Sequence, residues 1–246
     1  MTYLLSRIHL NDAAQQGRAA YSCPTRTPGL VKTWGVGDPN FPPRSQPGPW
    51  AYAVLPYVEQ EPAYRHRTFG VRVPVYLCPS RGRLNPQAAP AVDPVFPPCA
   101  YDTGGVNPWG KTDSAANLQV CLGTYKTTAQ SGAVLGVVAI TDGTSTTLLL
   151  GEKSLDVRAY DTGGWLWDEP LFAGGAAGGT VRAGTAVPRD AAGVTFFDNW
   201  GSAHPAGAQF AFVDGSVRLL RHGVPPAVMR ALLTPAGGEV VPNLDD

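Results

Sequence analysis

The sequence predicts an α+β fold in which one N-terminal helix precedes a predominantly antiparallel sheet with long Pro/Gly-rich loops, and three observations point there. Near the C-terminus, Asp214-Gly215 is flanked by two runs of alternating apolar residues, the signature of a β-hairpin. At the other end, residues 3–20 contain no proline and place Leu4, Leu5 and Ile8 at helical spacing. Between them, the 29 Gly and 24 Pro of a 246-residue chain punctuate short elements and exclude long ones.

Taken in order, residues 1–22 read as the N-terminal helix and residues 23–246 as one domain. From Cys23 to Pro49 seven prolines and four glycines argue for an extended surface loop. A short helix is expected over Trp50–Tyr64, with Trp50, Val54, Tyr57 and Val58 on one face and Pro56 and Pro62 kinking or ending it. Val71–Cys78 alternates in the manner of a strand, with Pro74 confining it to an edge. Residues 79–122, rich in Pro, Gly, Asn and Asp, read as a long loop offering partner-specific surface. Strands follow at Ala133–Ile140 and Thr146–Glu152, joined by a turn at Thr141-Asp142-Gly143-Thr144. The stretch 173–179 reads as a flexible loop without the Lys-Ser/Thr ending of a phosphate loop.

The hairpin spans 208–221. A two-residue Asp214-Gly215 turn pairs Val213 with Ser216, Phe212 with Val217, Ala211 with Arg218 and Phe210 with Leu219. That register puts Phe210, Phe212, Val217 and Leu219 on one face. Pro225–Leu233 then forms a short helix that stops at Pro235-Ala236-Gly237-Gly238.

Charged residues make up only 15 %, and 19 basic side chains cancel 19 acidic ones. Such a chain lacks the basic footprint that phosphate neutralisation needs, which excludes nucleic acid as the expected partner. No run reaches the roughly 18 apolar residues of a membrane span, and no export signal is visible in the sequence. Cys23, Cys78, Cys99 and Cys121 form no CxxC pair. In an exported protein they permit two disulfides, of which Cys99–Cys121 with Cys23–Cys78 is the preferred pairing because it staples the loop between Cys99 and Cys121. Four reduced, partly buried cysteines are the competing reading.

Several segments carry a resemblance. His204-Pro205-Ala206-Gly207-Ala208-Gln209-Phe210-Ala211-Phe212-Val213-Asp214-Gly215 resembles the signature of a histidine, nine residues and Asp-Gly in the prepilin-like proteins of planctomycetes, domain of unknown function 1559. Leu55-Pro56-Tyr57-Val58-Glu59-Gln60, Leu77-Cys78-Pro79-Ser80, the segment Ile140 to Glu152 including Asp142-Gly143, and Ala231 to Glu239 resemble further blocks of that family, in its order. The resemblance implies a pilin-like architecture, export to the cell surface or exterior, protein partners or self-assembly, and a non-catalytic structural role. Members usually begin with a prepilin cleavage site and a long apolar helix, which this sequence does not display, so it reads as truncated at its start or anchorless.

The candidate site residues follow from these motifs. His204 and Asp214 are separated by a strand of about six extended residues, roughly 20 Å at about 3.3 Å each, too far for a catalytic pair. Asp214 is explained by its turn, and His204 by bracing the loop before it. Asp142 is a weak calcium candidate, since pilin-like relatives sometimes fix loops with calcium; the competing reading is a local Asx-turn. Asp161, Asp168, Glu169 and Asp198 lack the alternation of a calcium-binding loop. Glu152 is expected to pair with Lys153 or an arginine, and Cys78 has no activating base near it in sequence. Trp109, Trp165, Trp167 and Trp200 lie in Gly-, Asp- and Asn-rich contexts where exposed rings would bind carbohydrate or a protein, the basis of the alternative reading as a soluble extracellular binding module; burial in the core, where most tryptophans sit, is the competing reading. No constellation completes an active site, so an enzyme is not expected.

Overall fold

The computed structural model describes residues 19–22, 31–41, 48–88, 100–102, 108–121, 135–161, 168, 170–174, 180–193 and 198–242. The fold is α+β. Among the described residues two sheets hold the strands, and four short α-helices accompany them. Strands β1 (Ala19–Ser22), β2 (Val31–Val36), β3 (Ala100–Asp102) and β6 (Ala173–Gly174) form a four-stranded antiparallel sheet in the order β3-β1-β2-β6. The second sheet has the order β7-β4-β5-β8-β9, built from β4 (Ser114–Asn117), β5 (Leu148–Glu152), β7 (Val181–Arg182), β8 (Gly207–Phe212) and β9 (Val217–Arg221). Its pairings are antiparallel except β4 with β7.

At β4 and β5 this second sheet buries side chains on both faces. Ala115, Leu148, Phe210 and Phe212 join Trp200, Leu220, Met229 and Leu232 in one apolar cluster, whereas Ala116 and Leu149 join Trp50, Tyr52, Leu55, Trp109 and Phe172 in another. Neighbouring residues point to opposite faces of a pleated strand, and the split follows that alternation. Helix α4 (Pro226–Leu233) closes the first cluster with Met229, Leu232 and Leu233, and begins with the proline pair that its sequence predicts.

Several expectations are corrected. Residues 1–18 lie outside the described residues, but Ala19–Ser22, assigned to the N-terminal helix, are strand. Val31–Val36, inside the expected loop, is also strand. The helix over Trp50–Tyr64 breaks into α1 (Trp50–Val54), a 3-10 turn at Leu55–Val58 and α2 (Glu61–His66). Pro56 and Pro62 each fall in the first turn of a new segment, where a missing N–H costs nothing. Tyr57, assigned to the inner face, is 65 % exposed, while Leu55 is fully buried. Val71–Cys78 is a 3-10 turn at Pro74–Tyr76 rather than a strand, and the same holds at Val137–Ala139. Of the expected loop 79–122, residues 108–121 carry β4 and α3 (Leu118–Cys121) and supply core side chains.

The hairpin forms with a register one residue away from the expected one. Ala211 pairs with Val217, Phe210 with Arg218 and Ala208 with Leu220. Gly215 N–H donates to Phe212 O and Phe212 N–H to Ser216 O, both at 2.9 Å, so the loop has three residues rather than two. Only Gly215 takes a positive φ, 89°. Asp214 stays out of the left-handed region, and its Oδ1 accepts the Ser216 N–H and hydroxyl at 2.8 and 2.7 Å, which favours the three-residue loop ending in a left-handed glycine. A slip of one residue exchanges the faces of a strand. Accordingly Val217 and Leu219 lie outside, and Leu220 is buried.

Candidate functional site

Three of the motif segments meet at one point. Cys78 enters between two 3-10 turns, Glu152 ends β5, and His204 lies in the bend that leads into β8. Cys78 Sγ is 3.5 Å from His204 Nε2, although 126 residues separate them in the chain. Glu152 Oε1 is 3.4 Å from the same nitrogen. The ligand atoms of all three lie within 4.8 Å of one another. Cys78 is buried, whereas the His204 side chain is 35 % exposed, so the cluster opens to solvent on the histidine side.

Each member is held from behind. Cys78 N–H donates to Asp113 Oδ2 at 2.7 Å. Glu152 Oε2 accepts the Gln209 N–H at 2.8 Å, which leaves Oε1 facing the histidine. His204 N–H donates to Ser202 Oγ at 3.0 Å, and Ser202 donates in turn to Gly207 O at 2.7 Å. His222 Nε2 lies 2.8 Å from His204 O and its Nδ1 3.1 Å from Val187 O, tying the bend to the β9 end of the sheet.

Beneath the cluster runs a layer of buried charge. Asp113 Oδ1 sits between Arg81 Nη1 at 3.2 Å and Arg83 Nη1 at 3.3 Å. Arg81 also binds Asp190 at 2.8 Å and donates to Lys153 O. Arg83 and Lys153 each reach Asp168 at 2.9 Å. Burial would lift the Asp168 carboxyl, but Arg83, Lys153 and Lys111 hold it well below the usual carboxylate range. Burial takes the Lys153 ammonium down to about 8 against the opposing pull of Asp168. Arginine suits such positions because its planar fork stays charged and serves two carboxylates at once.

Chemically, the trio does not have the layout of a nucleophilic triad. A relay needs the base to take the nucleophile on one ring nitrogen and its orienting carboxylate on the other. Here thiol and carboxylate both face Nε2. Burial also raises the Cys78 thiol, and the nearby Arg81 only partly offsets it, so the reactive thiolate is not favoured.

The predicted site residues are placed as follows. Asp214 caps its own turn and makes no contact with His204 among the described residues. Asp142 forms a long-range brace rather than a local Asx-turn. Its carboxylate accepts Gly237 N–H at 2.6 Å and Gly238 N–H at 3.0 Å, joining two motif segments, and its N–H donates to Pro235 O. Gly143, with φ 100°, lets Thr146 and Thr147 hydroxyls close the same turn. Glu152 does not pair with Lys153, because neighbouring strand residues face opposite ways. Asp161 and Asp198 accept the Leu84 and Ala183 N–H groups, and Glu169 lies outside the described residues.

Trp109 and Trp200 are core residues, 1 % and 0 % exposed, and neither offers an exposed ring. Trp109 packs on Phe69, and Trp200 packs on Phe210 while its indole N–H donates to Gly184 O. Trp165 and Trp167 lie outside the described residues. Cys78 and Cys121 are free thiols, so neither Cys23–Cys78 nor Cys99–Cys121 is formed. Burial pushes the Cys121 thiol up to about 12. Cys23 and Cys99 themselves lie outside the described residues. The cluster of Cys78, Glu152 and His204 escaped sequence reasoning because each was weighed against its chain neighbours. The available signal was that each of three motif segments carries at least one metal- or proton-binding side chain.

Among the described residues no helix is long and apolar enough to cross a membrane. The model of a family described as a protein of unknown function, DUF1559, matches residues 32–226. No curated protein and no solved structure matches the chain.

Proposed function

The chain belongs to the DUF1559 family, and from that premise we propose that it is a non-catalytic, pilin-like structural subunit of a cell-surface or secretion-linked assembly. The observation that carries the reading is the open edge of the five-stranded sheet. Strand β9 ends the strand order, so among the described residues it is hydrogen-bonded on one side only. Its outward side chains include Val217, 64 % exposed, and Leu219, 40 % exposed. Unpaired edge groups beside exposed apolar side chains are a template for another chain.

The motif residues support the same reading. Asp214, Gly215, Asp142 and Gly143 are spent on turns and on a brace between segments, and the layout around His204 is not a proton relay. Placement at the cell surface and likeness to prepilins belong to the proposal. The test is cross-linking and cell fractionation of the full gene product in its own host. Surface-located adducts that Val217→Lys diminishes are expected. A product that stays monomeric inside the cell would end the reading.

A further inference from the structure

We propose that Cys78 Sγ, His204 Nε2 and Glu152 Oε1 form a three-ligand site for a zinc-class divalent cation, with a fourth position open to solvent. The two separations from His204 Nε2 fit edges of a coordination tetrahedron, and Cys78 Sγ and Glu152 Oε1 lie within 4.8 Å of each other. With Zn–S about 2.3 Å, Zn–N about 2.05 Å and Zn–O about 2.1 Å, tetrahedral angles place S and N about 3.6 Å apart and N and O about 3.4 Å apart. The observed separations are 3.5 Å and 3.4 Å.

In the neutral ring Nε2 makes one strong hydrogen bond, so thiol and carboxylate compete for it. A neutral imidazole nitrogen either donates or accepts. If Nε2 accepts from the Cys78 thiol, its lone pair cannot also bind the Glu152 carboxylate that faces it at 3.4 Å. If Nε2 carries the proton and donates to Glu152, the thiol has no acceptor in the ring. A cation in the centre satisfies all three groups at once.

One neighbour holds a ligating group directly and the others fix the backbone of the other two ligands. Gln209 N–H holds the second Glu152 oxygen, Asp113 holds the Cys78 backbone and is itself gripped by Arg81 and Arg83, and Ser202 with His222 fixes the bend of His204. Ligand softness selects the cation. One sulfur, one imidazole nitrogen and one carboxylate suit zinc or its cobalt substitute, and not the oxygen-seeking calcium or magnesium. His204 lies 35 % exposed, so water or a donor from a ligand or neighbouring chain can complete the tetrahedron. The inference stands independently of the assembly reading.

The experiment uses the full chain stripped of metal and titrated with Zn2+ alone, then with Co2+. Expected are one equivalent of either ion, visible absorption of tetrahedral cobalt, and a near-ultraviolet sulfur-to-cobalt band that Cys78→Ser abolishes. Orienting partners at such sites are worth about 10–100-fold in affinity, so Glu152→Gln, which removes a ligand, is expected to weaken Zn2+ binding by at least about 100-fold. No stoichiometric binding, or a sulfur band that survives Cys78→Ser, overturns the assignment. Should Cys78→Ser fail to fold, X-ray absorption on the zinc-loaded unaltered chain decides. One sulfur at about 2.3 Å with nitrogen and oxygen at about 2.0–2.2 Å supports the site. A shell with no sulfur, or with two or more, refutes it.

Discussion

Replacing Asp113 with alanine removes the group that joins the buried charge layer to the Cys78 backbone. Breaking a buried ion pair by deleting one partner costs about 3–5 kcal/mol. The lower end applies, because Arg81 keeps Asp190 at 2.8 Å and Arg83 keeps Asp168 at 2.9 Å. The Cys78 N–H is then left buried without its 2.7 Å acceptor, which adds about 1–3 kcal/mol. The total, about 4–6 kcal/mol, is a large share of the roughly 5–15 kcal/mol by which a folded protein is stable. At about 2–4 °C per kcal/mol for a chain of this size, Tm falls by about 10–20 °C. The assay is urea unfolding followed by tryptophan fluorescence, which the buried Trp109 and Trp200 report. Asp113→Asn keeps an acceptor for Cys78 but not the charge, and is expected to lose less. An Asp113→Ala protein within about 1 kcal/mol of the unaltered chain, at the same dependence on urea, would refute the claim that this carboxylate is buried and paired.

Other outcomes follow from the same contacts. Leu220→Ala is expected to cost about 2–5 kcal/mol and Leu219→Ser less than about 0.5 kcal/mol, measured by chemical unfolding; the reverse order would restore the two-residue turn. Asp142→Ala removes the acceptor of Gly237 and Gly238, so their amide hydrogen exchange should accelerate, with a stability loss of about 1–2 kcal/mol. Gly151→Ala places a Cβ 2.4 Å from the Phe210 ring and 2.9 Å from Trp200, an overpacking worth about 1–3 kcal/mol by thermal unfolding. Acid should destabilise the protein through Asp156, whose carboxyl its bonds from Arg158 lower to about 2, and through Asp168, held low by Arg83 and the lysines. Groups with depressed folded values contribute stability above the ordinary carboxylate range and lose it as pH falls through the folded value. Stability measured between about pH 5 and pH 2 should therefore decline as pH falls, and Asp156→Asn should flatten part of that decline.

What the sequence determined by itself was local. The C-terminal hairpin, helix α4 and the strand ending at Glu152 follow from alternation, an Asp-Gly turn and proline placement within a few residues of each other. The proline breaks at Pro56 and Pro62 were equally local. Tertiary structure decided the rest. The hairpin register turned on whether Asp214 bonded Ser216 or took a left-handed conformation, and the burial of Leu220 under α4 rewarded the first choice. Trp109 and Trp200 came from polar-looking contexts, yet the sheet needed large rings to fill both its faces. The Cys78, Glu152 and His204 cluster is the sharpest case. Its members are far apart in the chain, and no periodicity encodes that separation. Only the folding of β5 against β8, with the Cys78 turn held by Asp113, brings the three side chains to one nitrogen.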